Sequence, residues 1–119
     1  MKKTLIIGAT TNPSRYAYLA AERLTAKGHK IVNVGIKKGS VAGVEIEMPD
    51  EIHNDIHTIT LYIGPALQKG YYDYILKTNP KRVVFNPGTE NRELESLLQK
   101  NAIESLEACT LVLLSTGQY

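Results

Sequence analysis

The stretch "IIGATTNPSRYAY", residues 6–18, decides the fold of this chain. It runs from an apolar segment through Gly8 into a polar loop, a proline and the start of an amphipathic segment. A strand, a tight turn and a helix in this order often open a nucleotide-binding α/β domain. The usual Gly-x-Gly-x-x-Gly is missing, so the rest of the chain must indicate which ligand, if any, this loop holds.

Length and composition limit the classes of protein to consider. The 119 residues are enough for one domain, residues 1–119. The net charge is +2 and the lysines are scattered, so nothing indicates a nucleic-acid partner. The single cysteine, Cys109, excludes an internal disulfide and an all-cysteine metal site, and its setting "ACTLVLLS" indicates a buried strand. The apolar residues before Gly8 are too few for a signal peptide or membrane span, so we expect a cytoplasmic protein.

Short apolar segments predict five strands, at residues 4–9, 30–36, 58–64, 82–86 and 110–115. Helical spacing separates them. The first helix is expected over residues 13–27, with Asn12 as N-cap, Ala17, Ala20, Ala21 and Leu24 on its inner face, and Gly28 after its end. Further helices are expected at residues 65–77, from Asn91 onward, and at residues 103–108.

This alternation predicts a Rossmann-like α/β domain. It indicates an open parallel sheet of five strands in the order 3-2-1-4-5, with helices on both faces. Residues 39–57 fit the alternation least well. We expect a short extra strand there, "GVEIE" at residues 43–47, and a turn of helix after Pro49.

Polar loops follow the predicted strands at the edge where such sheets bind ligands. The strand order reverses there, and we expect the ligand between strands 1 and 4. In the first loop Gly8 permits the turn, Thr10 and Thr11 offer hydroxyls, and a helix opening at Pro13 points free N–H groups outward. Arg15, in that helix's first turn, is placed to meet a phosphate. The alternative is an ordinary loop with a surface arginine.

Two lysines, Lys37 and Lys38, follow strand 2. An enzyme selective for NAD would place an acid there to accept from the ribose 2′-hydroxyl, but the first acid is Glu45. Two cations suit a ligand with a phosphate on its adenosine ribose, such as NADP or coenzyme A (CoA). The alternative is a solvated lysine pair.

The loops after strands 3 and 4 complete this edge. Gly64-Pro65 ends strand 3 sharply and starts a helix. After strand 4 comes "FNPGTEN", residues 85–91, where Gly88 is expected at positive φ and Asn86 and Asn91 can bond loop backbone. Asn91 can also cap the helix that follows. We expect this loop to face the strand 1 loop across the crevice. The alternative is a self-stabilised turn.

Residues 7–39, "IGATTNPSRYAYLAAERLTAKGHKIVNVGIKKG", and residues 83–114, "VVFNPGTENRELESLLQKNAIESLEACTLVLL", resemble the small stand-alone CoA-binding proteins of bacteria. These are similar in turn to the CoA-binding N-terminal domain of the succinyl-CoA synthetase α subunit. The resemblance implies a Rossmann-like fold with CoA over the strand 1 loop. Residues 40–57 lack the family's Tyr-x-Ser-Leu-x-Asp-Ile-Pro pattern, so the resemblance does not define the adenine-side wall.

The same resemblance implies a role for individual residues. The pyrophosphate would be wrapped by Gly8, Ala9, Thr10, Thr11 and Asn12, with Ser14 and Arg15 nearby. Lys37 or Lys38 would meet the adenosine end. The pantetheine path would be lined by Gly64, Pro65, Asn86, Pro87 and Gly88.

No catalytic constellation can be argued from the sequence. The synthetase needs a second domain with a phosphorylated histidine and a partner subunit, and neither fits in 119 residues. His29 at the end of helix 1 is expected to be structural, as a cation complementing the helix dipole. His53 and His57 could share a helix face but lack a third ligand at short spacing, so no metal site is predicted. Cys109 precedes a core strand at the wrong end of the sheet for nucleophilic chemistry.

The sequence therefore predicts non-catalytic binding of CoA or an acyl-CoA, as a carrier, sensor or subunit, with no membrane partner. A small NADP-binding oxidoreductase or fragment is the alternative, although "FNPGTEN" supplies no proton donor such as a Tyr-Lys pair. A third interpretation is a protein-interaction domain that kept the fold and lost the ligand. A protein partner or a homo-oligomer remains open.

Overall fold

One mixed sheet of seven strands organises the chain, in the order β3-β4-β2-β1-β5-β6-β7. The computed structural model describes all residues, 1–119. The strands are β1 (Thr4–Ile7), β2 (Ile31–Val34), β3 (Ser40–Val41), β4 (Val44–Glu47), β5 (Thr58–Leu61), β6 (Arg82–Phe85) and β7 (Glu104–Glu107). The α-helices are α1 (Tyr16–Ala26), α2 (Pro65–Gln68), α3 (Tyr72–Thr78), α4 (Arg92–Lys100) and α5 (Thr110–Ser115), and a 3₁₀ turn, Lys69–Tyr71, joins α2 to α3.

The Rossmann-like class is confirmed, but the five-stranded order 3-2-1-4-5 was incomplete. The expected extra strand in residues 43–47 is β4, which pairs in parallel with the end of β2 and takes the outer position assigned to residues 58–64. Residues 58–61 instead form β5 beside β1. Every pairing is parallel except the β3–β4 hairpin. The strand order therefore reverses between β1 and β5.

The two segments at the end of the chain were exchanged in the prediction. Residues 110–115 form the helix α5, whose buried side chains are Thr110 and Leu114, one turn apart. The seventh strand is Glu104–Glu107, within the segment expected to be helical. As an edge strand it exposes most of its side chains, so it lacks the apolar signature of a buried strand. Cys109 lies between β7 and α5, half-buried, and not inside a strand.

Some helix bounds agree with the prediction from local sequence signals and others do not. The inner face of α1 is the predicted set, and Gly28 follows its end, where the His29 N–H bonds the Leu24 carbonyl. The start of α1 was placed too early, because the side chain of Asn12 bonds Ser14 in a turn and the helix begins only at Tyr16. The second helix is divided into α2, the 3₁₀ turn and α3. After Pro49 the chain makes a turn and no helix.

The core lies on both faces of the sheet. Leu5 and Ile7 pack with α3 and α4 on one face, while Ile6 packs with α1 and α5 on the other. Strands β1, β2, β5 and β6 are buried along their whole length. The consecutive apolar residues of β1 and β6 predicted this, whereas β2 and β5 also bury the polar residues Asn33, Thr58 and Thr60. None of the helices is both long and apolar enough to span a membrane.

Candidate ligand site

All of the predicted ligand residues lie at the carboxyl edge of the sheet, in its loops or, for Pro65, at the start of α2. Because β1, β2, β5 and β6 are parallel, the loops that follow them, residues 8–15, 35–39, 62–64 and 86–91, share this edge. The prediction that the loop after β6 faces the loop after β1 directly was wrong. Strand β5 stands between these two strands, so residues 62–64 lie between their loops.

The loop after β1 is held closely by its neighbours on both sides. Gly8 has φ +97° and donates its N–H to the Val34 carbonyl. A Cβ atom at Gly8 would lie 2.9 Å from Cγ2 of Ile63, in the loop after β5. On the other side, Gly39 lies against the side chain of Thr11. A side chain at Gly8 or at Gly39 would therefore displace a neighbouring loop.

Inside this loop the polar side chains shape the backbone. Thr10 Oγ1 accepts from the Asn12 N–H at 3.2 Å. The Asn12 side-chain oxygen accepts from the Ser14 N–H at 3.0 Å and from the Ser14 hydroxyl at 2.7 Å. Asn12 and Ser14 thus satisfy each other's hydrogen-bonding groups. Arg15, the next residue, is the N-cap of α1.

The first turn of α1 keeps its backbone donors unpaired. Arg15 is the N-cap residue, with extended backbone and an exposed side chain, and it makes no capping hydrogen bond. No acceptor in the chain bonds the N–H groups of Thr10, Thr11, Tyr16, Ala17 and Tyr18. Free N–H groups at a helix start carry partial positive charge and bind anions. This part of the edge is therefore suited to a phosphate or pyrophosphate.

The start of α4 provides a contrast within the same chain. Asn91 is its N-cap, as predicted, and its side-chain oxygen accepts from the Leu94 N–H at 3.3 Å. Two acids, Glu93 and Glu95, lie in its first turn, whereas α1 has none. The start of α4 is thus stabilised by its own side chains, and the start of α1 is not.

The side chain of Asn86 anchors the loop after β6 to neighbouring elements. Its side-chain N–H₂ donates to Thr60 Oγ1 at 2.7 Å and to the Leu61 carbonyl at 2.8 Å, and its oxygen accepts from the Thr110 N–H at 2.9 Å. The side chain of Asn86 therefore joins the end of β6 to β5 and to the start of α5, and only its backbone carbonyl bonds its own loop, at Thr89. Gly88 has φ +91°, as expected, and open space lies beside both Gly88 and Gly64.

Gln68, which the sequence analysis did not identify, organises the same region. It is completely buried in α2. Its side-chain N–H₂ donates to the carbonyls of Ile63 and Thr89, at 2.9 and 2.8 Å, and its oxygen accepts from Asn91 at 2.8 Å. The loops after β5 and β6 are thus held together. No local sequence pattern marks Gln68, because its partners lie in the two loops on either side of α3 and β6, at residue 63 and at residues 89 and 91.

The lysine pair lies in the loop after β2, and β2 flanks β1 on the side opposite to β5. The side chains of Lys37 and Lys38 are exposed, and neither forms an ion pair with a carboxylate in the chain. They directly precede Gly39, which contacts Thr11. The two positive charges are therefore free to meet an anion next to the loop after β1.

A tyrosine and the cysteine also lie at this edge, which corrects the placement of Cys109 at the wrong end of the sheet. Cys109 follows β7 and directly precedes Thr110, whose N–H is bonded by Asn86.

The hydroxyl of Tyr62 is buried and makes no hydrogen bond of good geometry. Burial raises the pKa of Tyr62 to about 12, so this phenol keeps its proton at neutral pH.

None of the three histidines belongs to the loops at this edge. His29 Nδ1 accepts from the Lys2 N–H, and its ring meets Tyr119 edge-on at 5.0 Å between centroids. Burial, and then the charge of Lys2, lower the pKa of His29, so its position is structural but it is not the cation that was expected. His57 lies directly before β5 and bonds Thr58 at 2.8 Å. His53 pairs with Glu47. No helix lies between β4 and β5, so His53 and His57 do not share a helix face.

Surface shape alone does not mark the carboxyl edge. One depression lies between α4 and β7, around Gln99 and Ser105. Another lies near the amino end of β2, around His29 and His53. Neither of these two depressions contains a predicted ligand residue.

Several solved structures share the fold of this chain. The crystal structure of an uncharacterized protein is 55% identical, with a TM-score of 0.97, over 100% of this chain and 98% of that chain. A hypothetical protein from Pyrococcus horikoshii OT3 is 24% identical, with a TM-score of 0.83, over 93% of this chain and 80% of that chain. A Thermus thermophilus protein is 20% identical, with a TM-score of 0.84, over 99% of this chain and 90% of that chain. The latter two show a shared fold alone.

No functionally curated protein matches the chain. A family model described as "CoA binding domain" matches residues 2–115, which is almost the whole sequence. The expected resemblance to small single-domain CoA-binding proteins is thereby confirmed. The chain belongs to the CoA binding domain family.

Proposed function

We propose that this chain binds coenzyme A or an acyl-CoA at the carboxyl edge of its sheet, as a carrier, sensor or subunit that does not itself catalyse a reaction. One observation carries the proposal: the unpaired N–H groups of the β1 loop and the first turn of α1, next to Arg15. In a chain of the CoA binding domain family, these donors suit the pyrophosphate of CoA.

The pyrophosphate half of the ligand is assigned to residues 8–15. The N–H groups of Thr10 and Thr11 and of the first turn of α1 would bond its oxygens, while Gly8 and Ala9 form the turn beneath them. Asn12 and Ser14 are bonded to each other, so they hold the loop in shape. Arg15 is exposed and not engaged by its helix, so it supplies the mobile positive charge.

The two ends of the ligand extend in opposite directions along the edge. The adenosine end, with its ribose phosphate, is assigned to Lys37 and Lys38, because their loop touches the β1 loop at Thr11. The pantetheine arm is assigned to the other side, over Gly64, Pro65, Asn86, Pro87 and Gly88. Open space beside Gly64 and Gly88 leaves room for an extended chain there. CoA carries acyl groups as thioesters at the end of this arm.

The arrangement of ionisable groups supports a role without catalysis. None of the three histidines lies in the loops of the candidate site, so no imidazole can act there as general base. Tyr62 keeps its proton because burial raises its pKa to about 12. The three histidines bond Lys2, Thr58 and Glu47, so none of them forms a nucleophilic pair with Cys109.

Calorimetric titration of the purified chain with CoA, acetyl-CoA, NADPH and ATP tests this function. We expect a micromolar dissociation constant for CoA and weaker binding of ATP, which lacks the pantetheine arm. Tighter binding of NADPH than of CoA would favour the oxidoreductase alternative. Failure of all four ligands to bind would contradict ligand binding and favour an interaction domain.

A further inference from the structure

A second polar cluster lies outside the candidate ligand site, where β4 leads into the connection to β5. His53 Nε2 is 2.9 Å from a carboxylate oxygen of Glu47 and 3.6 Å from one of Glu51. The three ligand-type atoms all lie within 4.8 Å of one another. The side chain of His53 is 16% exposed and that of Glu47 34%, whereas Glu51 is 71% exposed. A half-buried imidazole thus faces two carboxylates, one of which is open to solvent.

A buried hydroxyl from another element has no hydrogen-bond partner, and carboxylates of this cluster act on it. Tyr74 in α3 is only 6% exposed, and its hydroxyl makes no hydrogen bond. The charged groups that act on this hydroxyl are the carboxylates of Glu47, Asp50 and Glu51. Burial first, and then these carboxylates, raise the pKa of Tyr74 to about 12, so the hydroxyl keeps its proton. A buried donor with no acceptor is costly, and it indicates that a further polar group belongs between it and the carboxylates.

We propose that Glu47, Glu51 and His53 bind a divalent metal ion of the zinc class, with a metal-bound water facing the hydroxyl of Tyr74. Zinc takes imidazole nitrogen and carboxylate oxygen at roughly 2.0–2.2 Å, which places tetrahedral ligand atoms about 3.3 Å apart. The two separations from His53 Nε2, 2.9 and 3.6 Å, lie on either side of that value, and all three ligand atoms are within 4.8 Å of one another, so rotation of the side chains would complete the site. Three protein ligands leave a fourth position for water.

The donor set also indicates which metals are excluded. Mg²⁺ and Ca²⁺ prefer oxygen ligands throughout, whereas an imidazole favours zinc and related transition metals. Because the three ligands lie within residues 47–53, the ion would tie the end of β4 to the connection that follows it. Metal that binds the folded chain in preference to the unfolded chain raises the stability of the fold.

Titration of the full chain with ZnCl₂ tests the site independently of CoA. The protein is made without a histidine tag, treated with chelator, and carries Cys109→Ser to remove the thiol as a competing ligand. We expect about one Zn²⁺ per chain by calorimetry, a rise in melting temperature with zinc, and no competition from MgCl₂. Glu51→Gln and His53→Gln should each weaken zinc binding at least tenfold. Glu45→Gln and His57→Gln, which change one acid and one histidine outside the cluster, should bind zinc like the parent.

Two results would overturn the proposal: no saturable zinc binding by the parent chain, or parental affinity in both Glu51→Gln and His53→Gln. Glu51 is mostly exposed, so its replacement tests the site even where replacing His53 weakens the fold. Tyr74→Phe should lower zinc affinity several-fold by removing the hydrogen bond to the bound water. Unchanged affinity in Tyr74→Phe would remove Tyr74 from the site.

Discussion

Gly39, in the loop after β2, lies directly against the side chain of Thr11, in the loop after β1, and a Cβ atom on Gly39 would overlap the Thr11 methyl group. This contact joins the segment that carries Lys37 and Lys38 to the segment that carries the unpaired N–H groups. The two halves of the proposed CoA site therefore keep their relative position through a contact that only glycine permits.

Gly39→Ala should weaken CoA binding. The added methyl group must move Thr11 or its loop, and restoring the bound geometry would cost about 1–2 kcal/mol, a fivefold to thirtyfold rise in the dissociation constant. Calorimetric titration measures the change. Gly43→Ala is the matched control, because Gly43 also has positive φ, +79°, but has no atom within 4 Å of the added Cβ. Equal affinities of the two variants would contradict this role for the contact.

Arg15→Ala should weaken CoA binding by about 1.5–3 kcal/mol, the contribution of a hydrogen bond to a charged group. The reason is that Arg15 is exposed at the start of α1 and makes no capping bond with its own helix. Arg23→Ala removes the same charge from the last turn of that helix and should leave the affinity unchanged. If the Arg15 variant bound CoA as tightly as the Arg23 variant, the assignment of the pyrophosphate to this loop would be wrong.

Gly88→Val should lower the free energy of unfolding by about 1–2 kcal/mol, because a side chain at φ +91° strains the backbone. Steric overlap is not the cause, since no atom lies within 4 Å of the added Cβ. Urea unfolding measures the loss. Gly70→Val, at an equally open position without positive φ, should cost much less. Unchanged stability and CoA affinity in Gly88→Val would make residues 85–91 an ordinary turn.

The features that could be predicted from the sequence depend on local or strongly periodic signals. Strands β1 and β6 carry consecutive apolar residues, because both faces of the sheet are covered. The positive φ of Gly88 and the capping role of Asn91 follow from short-range backbone chemistry. These signals were enough to place the candidate site at the carboxyl edge.

The errors concern features that depend on tertiary contacts. Residues 110–115 have an apolar composition that also suits a strand, but Asn86 bonds the Thr110 N–H and Leu114 packs into the core as part of a helix. Strand β4 is parallel to β2 over only two residue pairs, so its effect on strand order could not be seen locally. The role of Gln68 arises only where α2 meets the loops after β5 and β6. Local propensity does not contain this information.

Two histidines should make the fold less stable in mild acid. The pKa of His29 is lowered by burial and then by Lys2, and that of His57 by burial and then by Arg82, each from 6.5. Below pH 6.5 the unfolded chain therefore binds more protons than the folded chain. Their contribution is complete above pH 6.5 and is lost as the pH falls through the lower folded values.

Urea unfolding between about pH 7.5 and 5.5, a range that brackets the ordinary pKa of histidine, measures this loss. A double variant, His29→Gln with His57→Gln, should show a smaller fall in the free energy of unfolding over the same range. Parallel curves for the variant and the parent chain would show that other groups cause the acid sensitivity.

Lys37 and Lys38 should determine whether the site distinguishes CoA from ligands without a ribose phosphate. The β1 loop and the start of α1 can hold a pyrophosphate, but this unit is shared by CoA, NADP and NAD. The ligands differ at the ribose, where CoA and NADP carry a further phosphate and NAD has free hydroxyls. Both lysine side chains are exposed and unpaired, and their loop contacts Thr11 through Gly39. The charges are thus available next to the pyrophosphate position.

An extra phosphate near two partly screened lysines gains about 0.5–2 kcal/mol at an effective dielectric well above that of a dry interior. CoA should therefore bind several-fold to tens-fold more tightly than 3′-dephospho-CoA, and the difference should shrink in high salt. Replacing both lysines with alanine should nearly abolish this preference and leave binding of 3′-dephospho-CoA almost unchanged. Replacing Lys27 and Lys30, which are exposed at the other end of the sheet, removes the same charge and should preserve the preference. Equal affinity of the parent chain for the two ligands would refute the lysine assignment, whereas a preference lost equally in both double variants would reflect net charge alone.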